Sequence, residues 1–541
     1  ARKKLVSHAG AAGLIYKNLQ EAARNKGLHD FQFLEVLDSY PNALTGTEYR
    51  IPGFYTKEGY EKIILTQTKT IIKNSMLKSW ILGDDGEASG DKEINRIYEK
   101  VLGLYFIDYR RYWTKAFAQL SIPKYHSSTE LSDQLELLSS GISPVTLVLR
   151  AFKENTFLYT PKEKAEEAMR KKQELGVTGA EIGGSLGSKF DRIQRLGTKG
   201  MQAFASDKMV YDMRDIFKPY HELIDEHNKP SRKFQIVLRH VEKVYQQMLE
   251  VDTSADPKQS AFEIVSKKGT SSHKTFSLKS NLLPQKILTW YNSALNTSWD
   301  YLVGLVDGHL DKTYNDEIWT FYVEKIQDRF PLNLKADNDI TLDDFKAFFQ
   351  KDGLLDKFYA KYVLPFVSIN PQTGKYKIKA IDGAKIAINK QMLNSMMSAK
   401  KIQKLFFQSG SGALHLKVSI KPKKLSSNLA AMDIIYEDQE LLYEHGPIQS
   451  TDFVWPAQYP DSLAKFTFYD IRSNRVVKVR GEGAWGLLRL FSKLKKKVAS
   501  ASKMNISYKK GAYFGSFEVK GKLVSLFTKK SPFKQFKLKK K

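Results

Sequence analysis

The chain has 541 residues, 42% of them hydrophobic and 27% charged, and carries a net charge of +27. This composition is typical of a folded protein with a sizeable core and excludes a disordered chain. Cysteine is absent, which excludes thiolate nucleophiles, cysteine zinc sites and disulfide bonds, and favours an oxidising compartment such as the periplasm. The positive charge favours an anionic binding partner, such as nucleic acid, lipid headgroups or an acidic protein. Alternatively, the lysines only keep the protein surface hydrated.

The first 400 residues predict mostly helices, because apolar residues recur there at helical spacing. A Pro-Gly turn at 52–53 precedes a helix that Thr56 caps, and Thr341 caps a later one. A glycine- and serine-rich stretch, 176–200, predicts a mobile connection, and the polar stretch 251–280 predicts a domain boundary or a long loop. The predicted helical ranges, in chain order, are 11–28, 60 onward, 94–120, 128–158, 161–175, 207–250, 282–327 and 341 onward.

From about residue 410 the pattern changes to short strands. Apolar and polar residues alternate over 414–420, and the same period of two recurs near 466, 477 and 517. Short strands separated by turns predict a small β-sandwich, which one helix interrupts from about Trp485 to Lys497.

These patterns together predict an α+β protein, a long multi-helix body followed by a small β-sandwich-like domain. Three domains are expected: a helical domain over 1–265, a second helical domain over 266–400 and a basic β domain over 401–541. The last range holds 28 Lys and Arg against 10 Asp and Glu, so +18 of the total +27 lies there.

Three stretches resemble catalytic or ligand-binding motifs but lack an essential residue. The glycine-rich run 179–189 has Ser before Lys, the reverse of a phosphate-binding loop. The acidic run from Asp337 has Phe348 where a calcium loop needs a bidentate Glu. His221-Glu222 is followed by Asp225 where a zinc protease needs His. No catalytic, cofactor-binding or metal-binding residue is therefore predicted, and the chain is expected not to be an enzyme; a hydrolase with a dispersed site ranks last.

Lysine clusters near the end of the chain admit two interpretations. The runs 489–497 and 533–541 interleave lysines with apolar residues, which suits binding to a phosphate backbone or to anionic headgroups. A solvated helix face followed by a frayed terminus is the alternative, and it is favoured over nucleic-acid binding. Arginine, the usual base-reading residue, is scarce in the last run.

Membrane spans and leaders are not recognisable in this sequence. Its longest apolar runs fall short of the roughly 20 residues that cross a bilayer, and no signal peptide opens it. The first residue is Ala1 rather than Met, which favours a fragment or mature product whose membrane anchor lies upstream.

Five segments, in this order, resemble the IcmF/TssM family of secretion-system inner-membrane proteins. The first, 51–60, is similar to the family's Pro-Gly-x-x-Thr-x-x-Gly-Tyr. The second, 329–366, begins with Arg-Phe-Pro-Leu and ends with Leu-Pro-Phe. Between them come an acidic stretch, a Phe-Phe pair and a glycine-containing stretch, in the family's order. The third, 399–425, joins Ala-x-x-Ile and Phe-Phe to strands. The others are His-Gly-Pro with Trp-Pro, within 443–456, and Gly-Ala-Trp-Gly-Leu-Leu-Arg-Leu-Phe, over 483–491.

The positions that carry the resemblance are mostly prolines, glycines and aromatic residues. Such residues shape turns and cores rather than supply acid or base groups, so we assign them packing and turn roles, with Trp455 and Trp485 in the β-domain core. The full set is Pro52, Gly53, Thr56, Gly59, Pro331, Phe348, Phe349, Gly353, Pro365, Phe366, His445, Gly446, Pro447, Trp455, Pro456, Trp485 and Phe491.

Some features depart from the family pattern. Phe330 and Leu332 stand where the family more often has Tyr and Phe, and the C-terminus is richer in lysine. These departures indicate an outlying branch, from a type IVB (Dot/Icm-like) or an atypical type VI system, with type IVB preferred.

The resemblance implies the periplasmic region of an inner-membrane protein of a Gram-negative bacterium, anchored through upstream helices. It implies a virulence-related scaffold without cofactors that belongs to a larger oligomeric complex. The implied partners are a DotU/TssL-like inner-membrane protein and, in type VI systems, a TssJ-like outer-membrane lipoprotein on the C-terminal β region. The residues alone leave a basic nucleic-acid-binding protein as the alternative.

Overall fold

The structure, a computed structural model, describes most of the chain. The described residues are 8–81, 91–123, 125, 127–160, 162–164, 166, 204–267, 283–370, 372–373, 375–381, 383–388, 390–409, 412–459 and 463–541. The predicted mobile connection at 176–200 lies outside them. The chain divides into two compact units, which are described separately: the first comprises 1–255 with 270–301, and the second comprises 256–269 with 302–541. The three-domain division of the sequence stays a prediction.

The first unit is helical, and local sequence sets where its helices begin. Ser127 and Glu130 form a capping box, and Ser143 caps a helix that has Pro144 at its first position. The helices are α1 (His8–Asn25), α2 (Leu65–Ile81), α3 (Asp91–Gln119), α4 (Ser128–Ser139), α5 (Pro144–Thr156), α6 (Phe204–His221) and α7 (Arg232–Thr253), with short helical turns at Phe33–Val36, Gly53–Tyr55, Lys57–Gly59 and Tyr60–Ile64.

The core of the first unit is built on aromatic residues of α3. Tyr105, Tyr109 and Trp113 are completely buried along one face of that helix. The Trp113 ring packs edge-on against Phe152 of α5, 5.7 Å between centroids. The long aromatic-rich helix expected over 94–120 is therefore present, and its rings form the packing surface for its neighbours.

Among the described residues, one stretch, Ser128–Thr156, has the length and apolar composition of a membrane-spanning segment. It comprises α4 and α5, which are separate helices with a break at 140–143, and 50% of the relevant window is buried inside the protein. Core helices of folded proteins pass the same test.

The second unit combines helices with the β domain. Its helices are α8 (Pro257–Ser266), the end of α9 (Gln285–Thr313), α10 (Leu342–Phe349), α11 (Leu354–Phe358), α12 (Lys390–Phe406), α13 (Gly486–Lys493) and α14 (Pro532–Gln535), with helical turns at Tyr314–Trp319, Tyr322–Ile326, Tyr359–Val363, Leu364–Phe366 and Lys522–Phe527. Helix α8 corrects the expectation of a polar loop over 251–280: Asp256 accepts two backbone hydrogen bonds as its cap, and Pro257 follows at the first position.

Two antiparallel sheets form the predicted sandwich. A separate hairpin precedes them. The strands are β1 (Val367–Ile369), β2 (Tyr376–Ile378), β3 (Leu416–Leu425), β4 (Leu429–Tyr436), β5 (Gln439–Tyr443), β6 (Thr451–Trp455), β7 (Ala464–Asp470), β8 (Arg475–Gly481), β9 (Lys495–Ser500), β10 (Lys503–Lys510) and β11 (Tyr513–Lys520). The five-stranded sheet has the order β6-β3-β11-β10-β9 and the four-stranded sheet β5-β4-β7-β8. The fold is α+β, as the sequence predicts.

The sandwich core lies between the two sheets. Phe466 and Phe468 of β7 pack against each other, and Phe466 also meets Phe517 of β11 at 5.8 Å. Gly515 of β11 leaves room for these rings, because a Cβ there would lie 2.4 Å from the Phe468 ring. The alternation of apolar residues along the strands thus fills one shared core.

The helix predicted from Trp485 to Lys497 is shorter than expected. It ends at Lys493, and Lys495–Ser500 is the edge strand β9, in which Lys495 pairs with Ser507 of β10. Leu494, buried and extended, joins the two elements. A run of lysines shows neither the 3.6-residue period of a helix nor the two-residue period of a strand. Pairing with β10 therefore decides the conformation of this run.

Candidate functional site

Most signature positions are interior, which suits the packing and turn roles assigned to them. Buried residues are Gly53, Thr56, Gly59, Pro331, Phe348, Phe349, Gly353, Phe366, Trp455, Trp485 and Phe491; half-buried residues are Pro52, Pro365 and Pro456; exposed residues are His445, Gly446 and Pro447. The packing and turn roles remain proposals, which the contacts of the individual segments support.

The first signature segment is a tight turn that starts a helix. Thr56 caps it: its hydroxyl accepts from the Gly59 N–H at 3.2 Å and donates to the Gly53 carbonyl at 2.8 Å. The two glycines are required by close backbone approach, since a Cβ on Gly59 would lie 2.3 Å from the Gly53 oxygen and one on Gly53 would lie 2.5 Å from the His29 oxygen. The spacing Pro-Gly-x-x-Thr-x-x-Gly therefore encodes one compact turn.

A tyrosine network, for which no sequence pattern provides a signal, lies beside this turn. The Tyr16 hydroxyl donates to Asp108 at 2.8 Å and lies 2.8 Å from the Tyr55 hydroxyl, to which Gln20 also donates. Burial, reinforced by these neighbours, raises the pKa of Tyr16. The Tyr55 carbonyl accepts from the Trp113 indole at 2.8 Å, so the turn is fastened to α3.

The second signature segment lies in the second unit and forms a loop that closes on itself. Phe330 donates to the Asn338 carbonyl and accepts from Ile340, both at 2.8 Å. Thr341 then caps α10 by accepting from the Asp344 N–H at 3.0 Å. The rings of Phe345, Phe348 and Phe349 on α10 are buried together. The acidic run within the loop is therefore a turn that leads into a capped helix.

Arg489 of α13 holds this loop. Its guanidinium forms an ion pair with Asp339, donates to the carbonyls of Ala336 (3.0 Å) and Asp337 (2.6 Å), and lies 4.4 Å from the Phe330 ring centre. Burial raises the pKa of Asp339, an effect that Arg489 partly opposes. The fifth signature segment thus binds the second, a link between residues 150 positions apart that spacing alone does not reveal.

Trp455 and Trp485, both completely buried, occupy the centre of the second unit. Trp455 donates its indole N–H to the Ala484 carbonyl at 2.8 Å, and Trp485 donates to Ile340 at 2.6 Å. Phe406 of α12, from the third signature segment, meets both rings. The burial of both tryptophans supports the packing role proposed for them.

His445 and Phe366 are two further signature positions, the first exposed and the second buried. His445 has a left-handed backbone (φ 60°), and its Nε2 lies 2.8 Å from the Leu429 carbonyl, which orients an exposed loop. Phe366 packs with Phe262 of α8 at 6.0 Å, next to half-buried Pro365.

Chemically reactive arrangements are not apparent in the described part of the chain. No group of three or more His, Cys, Asp or Glu residues is placed there to hold a metal ion. His221 is buried; its Nε2 lies 2.7 Å from the Thr156 hydroxyl, and burial, aided by Lys153 and Arg214, lowers its pKa to about 3. It therefore stays neutral and packs within the core. The glycine-rich run 179–189 lies outside the described residues.

The lysine-rich terminus is an ordered part of the second unit. Phe533, Phe536 and Leu538 are buried, and Tyr314 donates to the Lys539 carbonyl at 2.9 Å. A cavity of about 20 Å³ between Tyr314, Met392 and Leu538 has room for roughly one water. The alternative of a frayed end is therefore wrong for these residues.

Capped turns, aromatic cores and a loop closed by its own hydrogen bonds define a protein of the α+β class. Two family models match the chain: "IcmF-related: Intracellular multiplication and human macrophage-killing" over 1–157, and "Type VI secretion protein IcmF C2-like domain" over 418–523. These two matches, which together cover a little under half of the chain, support the IcmF/TssM family.

Individual relatives agree with this assignment. The type VI secretion system component TssM1 of Pseudomonas aeruginosa is 22% identical over 445 residues, which cover 81% of this chain and 39% of that protein. A solved structure described as a type VI secretion system membrane core complex matches with a TM-score of 0.61 at 15% identity, covering 97% of this chain and 98% of that one. Another solved structure, described as a type VI membrane complex, matches with a TM-score of 0.62 at 15% identity and covers 96% of this chain and 93% of that one. The chain thus spans well under half of its curated relative.

Proposed function

We propose that this chain is the scaffold region of a bacterial secretion-system membrane complex, non-enzymatic and built to hold partner proteins in the cell envelope. The observation that carries the proposal is the match of two family models, one in each unit and in the family's order. The signature side chains support it, since most of them pack, cap or turn the chain.

The secretion type follows from the relatives. TssM1 and the two membrane complexes are all named as type VI proteins, so we propose a type VI system rather than the type IVB system that the sequence departures favoured. Periplasmic placement, with an inner-membrane anchor on a longer polypeptide, is part of the same proposal. The lack of cysteine is compatible with it.

The proposed partners are a TssL-like inner-membrane protein and a TssJ-like outer-membrane lipoprotein. The test is affinity capture of the tagged protein from detergent-solubilised envelopes of its own host, washed at low and at high salt. The expected result is recovery of both partners at both salt concentrations. Recovery of neither, or recovery only at low salt, would contradict a specific scaffold, because purely electrostatic association dissolves in salt.

The alternative, a basic nucleic-acid-binding protein, gains no support from these relatives. It predicts DNA or RNA binding whose affinity falls steeply with salt. A titration of labelled duplex against the protein decides it, and we expect weak binding without sequence preference.

A further inference from the structure

Several loops of the β domain meet at one end of the sandwich. Asp470, at the β7–β8 turn, pairs with Leu429 at the start of β4. His445, after β5, lies 2.8 Å from the same Leu429 carbonyl. Ser426, in the β3–β4 turn, exchanges backbone and side-chain hydrogen bonds with Phe514, just beyond the β10–β11 turn. We call this end the sandwich tip and define it as residues 423–428, 444–448, 470–475 and 509–513.

The sandwich tip exposes two isoleucines. Ile471 is 76% exposed, the highest value among large hydrophobic side chains in the described residues, and Ile448 is 47% exposed. The side chain of Ile471 takes no part in the hydrogen bonds that close the turn: the Asp470 carboxylate accepts from the backbone of Arg472 and Asn474, both at 2.8 Å, and the Asp470 carbonyl accepts from Ser473 at 2.9 Å. The fold therefore gains nothing from an apolar side chain at this place.

Basic residues lie at the same end of the sandwich as these isoleucines. Six basic residues belong to the tip: Lys423, Lys424, Arg472, Arg475, Lys509 and Lys510. The acidic residues of the tip are Glu444 and Asp470, and the Asp470 carboxylate already accepts a backbone hydrogen bond within its own turn. The described residues of the β domain form ion pairs that join Lys417 to Asp452, both Lys503 and Lys520 to Glu518, Arg489 to Asp339 and Lys541 to Asp311, all outside the tip. The opposite end of the sandwich carries Glu437, Asp438 and Glu482, at the β4–β5 turn and just after β8, together with Lys503 and Lys520 of β10 and β11.

We propose that the sandwich tip docks on a bilayer surface that contains anionic phospholipid. Ile471 and Ile448 would enter the boundary between headgroups and acyl chains, and the flanking cations would face the headgroups. This combination of protruding apolar side chains and basic residues is what drives interfacial binding of soluble domains.

A lipid surface fits this tip better than an acidic protein does. Protein interfaces have a packed core from which lysine is depleted, whereas most of the tip's cations are lysines, and the two arginines flank the turn that carries Ile471. Lysine and arginine next to apolar side chains are instead the composition of membrane-surface segments. Such charges also need no fixed partner geometry, which suits a fluid headgroup layer.

The absence of cysteine permits a direct test. Ile471→Cys is labelled with a polarity-sensitive fluorophore in the full chain and mixed with vesicles of phosphatidylcholine, with or without about 30% phosphatidylglycerol. The matched control is Ile369→Cys on β1, a 48% exposed isoleucine outside the tip. We expect a blue shift at position 471 with the anionic vesicles only, lost at high salt, and none at position 369.

Sedimentation with the same vesicles tests the charges. The pair Arg472→Ser and Lys510→Ser should weaken binding about fivefold for each cation removed, while the exposed pair Lys351→Ser and Lys357→Ser should leave it unchanged. Equal shifts at 471 and 369, no shift at either, or equal losses in the two double variants would overturn the proposal. So would a label at 471 that stays in water with vesicles but becomes shielded on adding an acidic envelope protein.

Discussion

The rings of Trp455 and Trp485 stack with their centres 4.5 Å apart and their planes inclined by 22°. Trp455 ends β6 and Trp485 precedes α13, so this pair joins the sandwich to the helix that interrupts it. The indole N–H of Trp485 reaches across to Ile340, at the end of the loop that Arg489 holds. One aromatic stack therefore connects three of the family's signature segments.

Trp485→Ala should destabilise the second unit by about 3–5 kcal/mol, because it opens a large cavity in a buried core. Thermal unfolding followed by circular dichroism measures the effect. Trp319→Ala is the matched control: Trp319 is only half-buried, so its truncation should cost less. A melt of Trp485→Ala that coincides with the parent's would show that the residue is not a core anchor.

Trp485→Phe separates packing from hydrogen bonding at the same position. Phe keeps an aromatic ring but leaves the buried Ile340 carbonyl without the indole donor, which should cost about 1–3 kcal/mol. The expected order of stability is parent, then Trp485→Phe, then Trp485→Ala. A phenylalanine variant as unstable as the alanine variant would assign the whole effect to the hydrogen bond.

Glycine substitutions test the first signature turn. Gly59→Ala places a Cβ 2.3 Å from the Gly53 oxygen; backbone must move, at a cost of about 2–3 kcal/mol. Gly103→Ala, in the middle of α3 with no atom within 4 Å of its Cβ, should stabilise by about 0.5–1 kcal/mol because alanine favours helix. Urea unfolding of the two variants should shift the midpoint in opposite directions. Shifts in the same direction would contradict the close-approach explanation.

Local chemistry was predictable from the sequence, and long-range pairing was not. The caps at Thr56 and Thr341 and the buried tryptophans follow from residue type and nearby spacing. The Arg489–Asp339 pair and the Tyr314–Lys539 hydrogen bond join residues 150 and 225 positions apart, which no single-sequence pattern encodes. The strand β9 was missed for the same reason, since pairing with β10 rather than the Lys495–Lys497 run itself decides its conformation.

Arg489→Lys tests how the guanidinium holds the second signature loop. Lysine keeps the charge but loses the planar fork that reaches Asp339, Ala336 and Asp337, so we expect a loss of about 2 kcal/mol. Arg489→Met should cost more, about 3 kcal/mol at pH 7, because it leaves the largely buried Asp339 carboxylate without its countercharge. Chemical denaturation measures both variants.

The methionine variant should also depend on pH in a definite direction. Burial raises the pKa of Asp339, and removing Arg489 raises it further, so the folded state binds a proton more tightly than the unfolded state does. Stability then falls as pH rises through that pKa, and the penalty of Arg489→Met shrinks towards pH 4. Asp339→Asn combined with Arg489→Met should abolish this pH dependence. A penalty that stays constant with pH would contradict the assignment.

His221 gives the first unit a dependence of the opposite sign. Its pKa in the folded chain is about 3, against about 6.5 when unfolded, so the unfolded state binds the proton first. Stability is therefore complete above about pH 6.5 and declines below it, by about 2 kcal/mol at pH 5. Unfolding of the parent at pH 7 and pH 5 measures this loss.

His221→Gln isolates the contribution of this one residue. Glutamine can still donate to the Thr156 hydroxyl, which itself donates to the Phe152 carbonyl at 2.6 Å, and it carries no titratable group. The variant should lose the decline between pH 7 and pH 5, while His227→Gln, at an exposed histidine, should keep it. If both variants retain the full decline, a group other than His221 must be responsible.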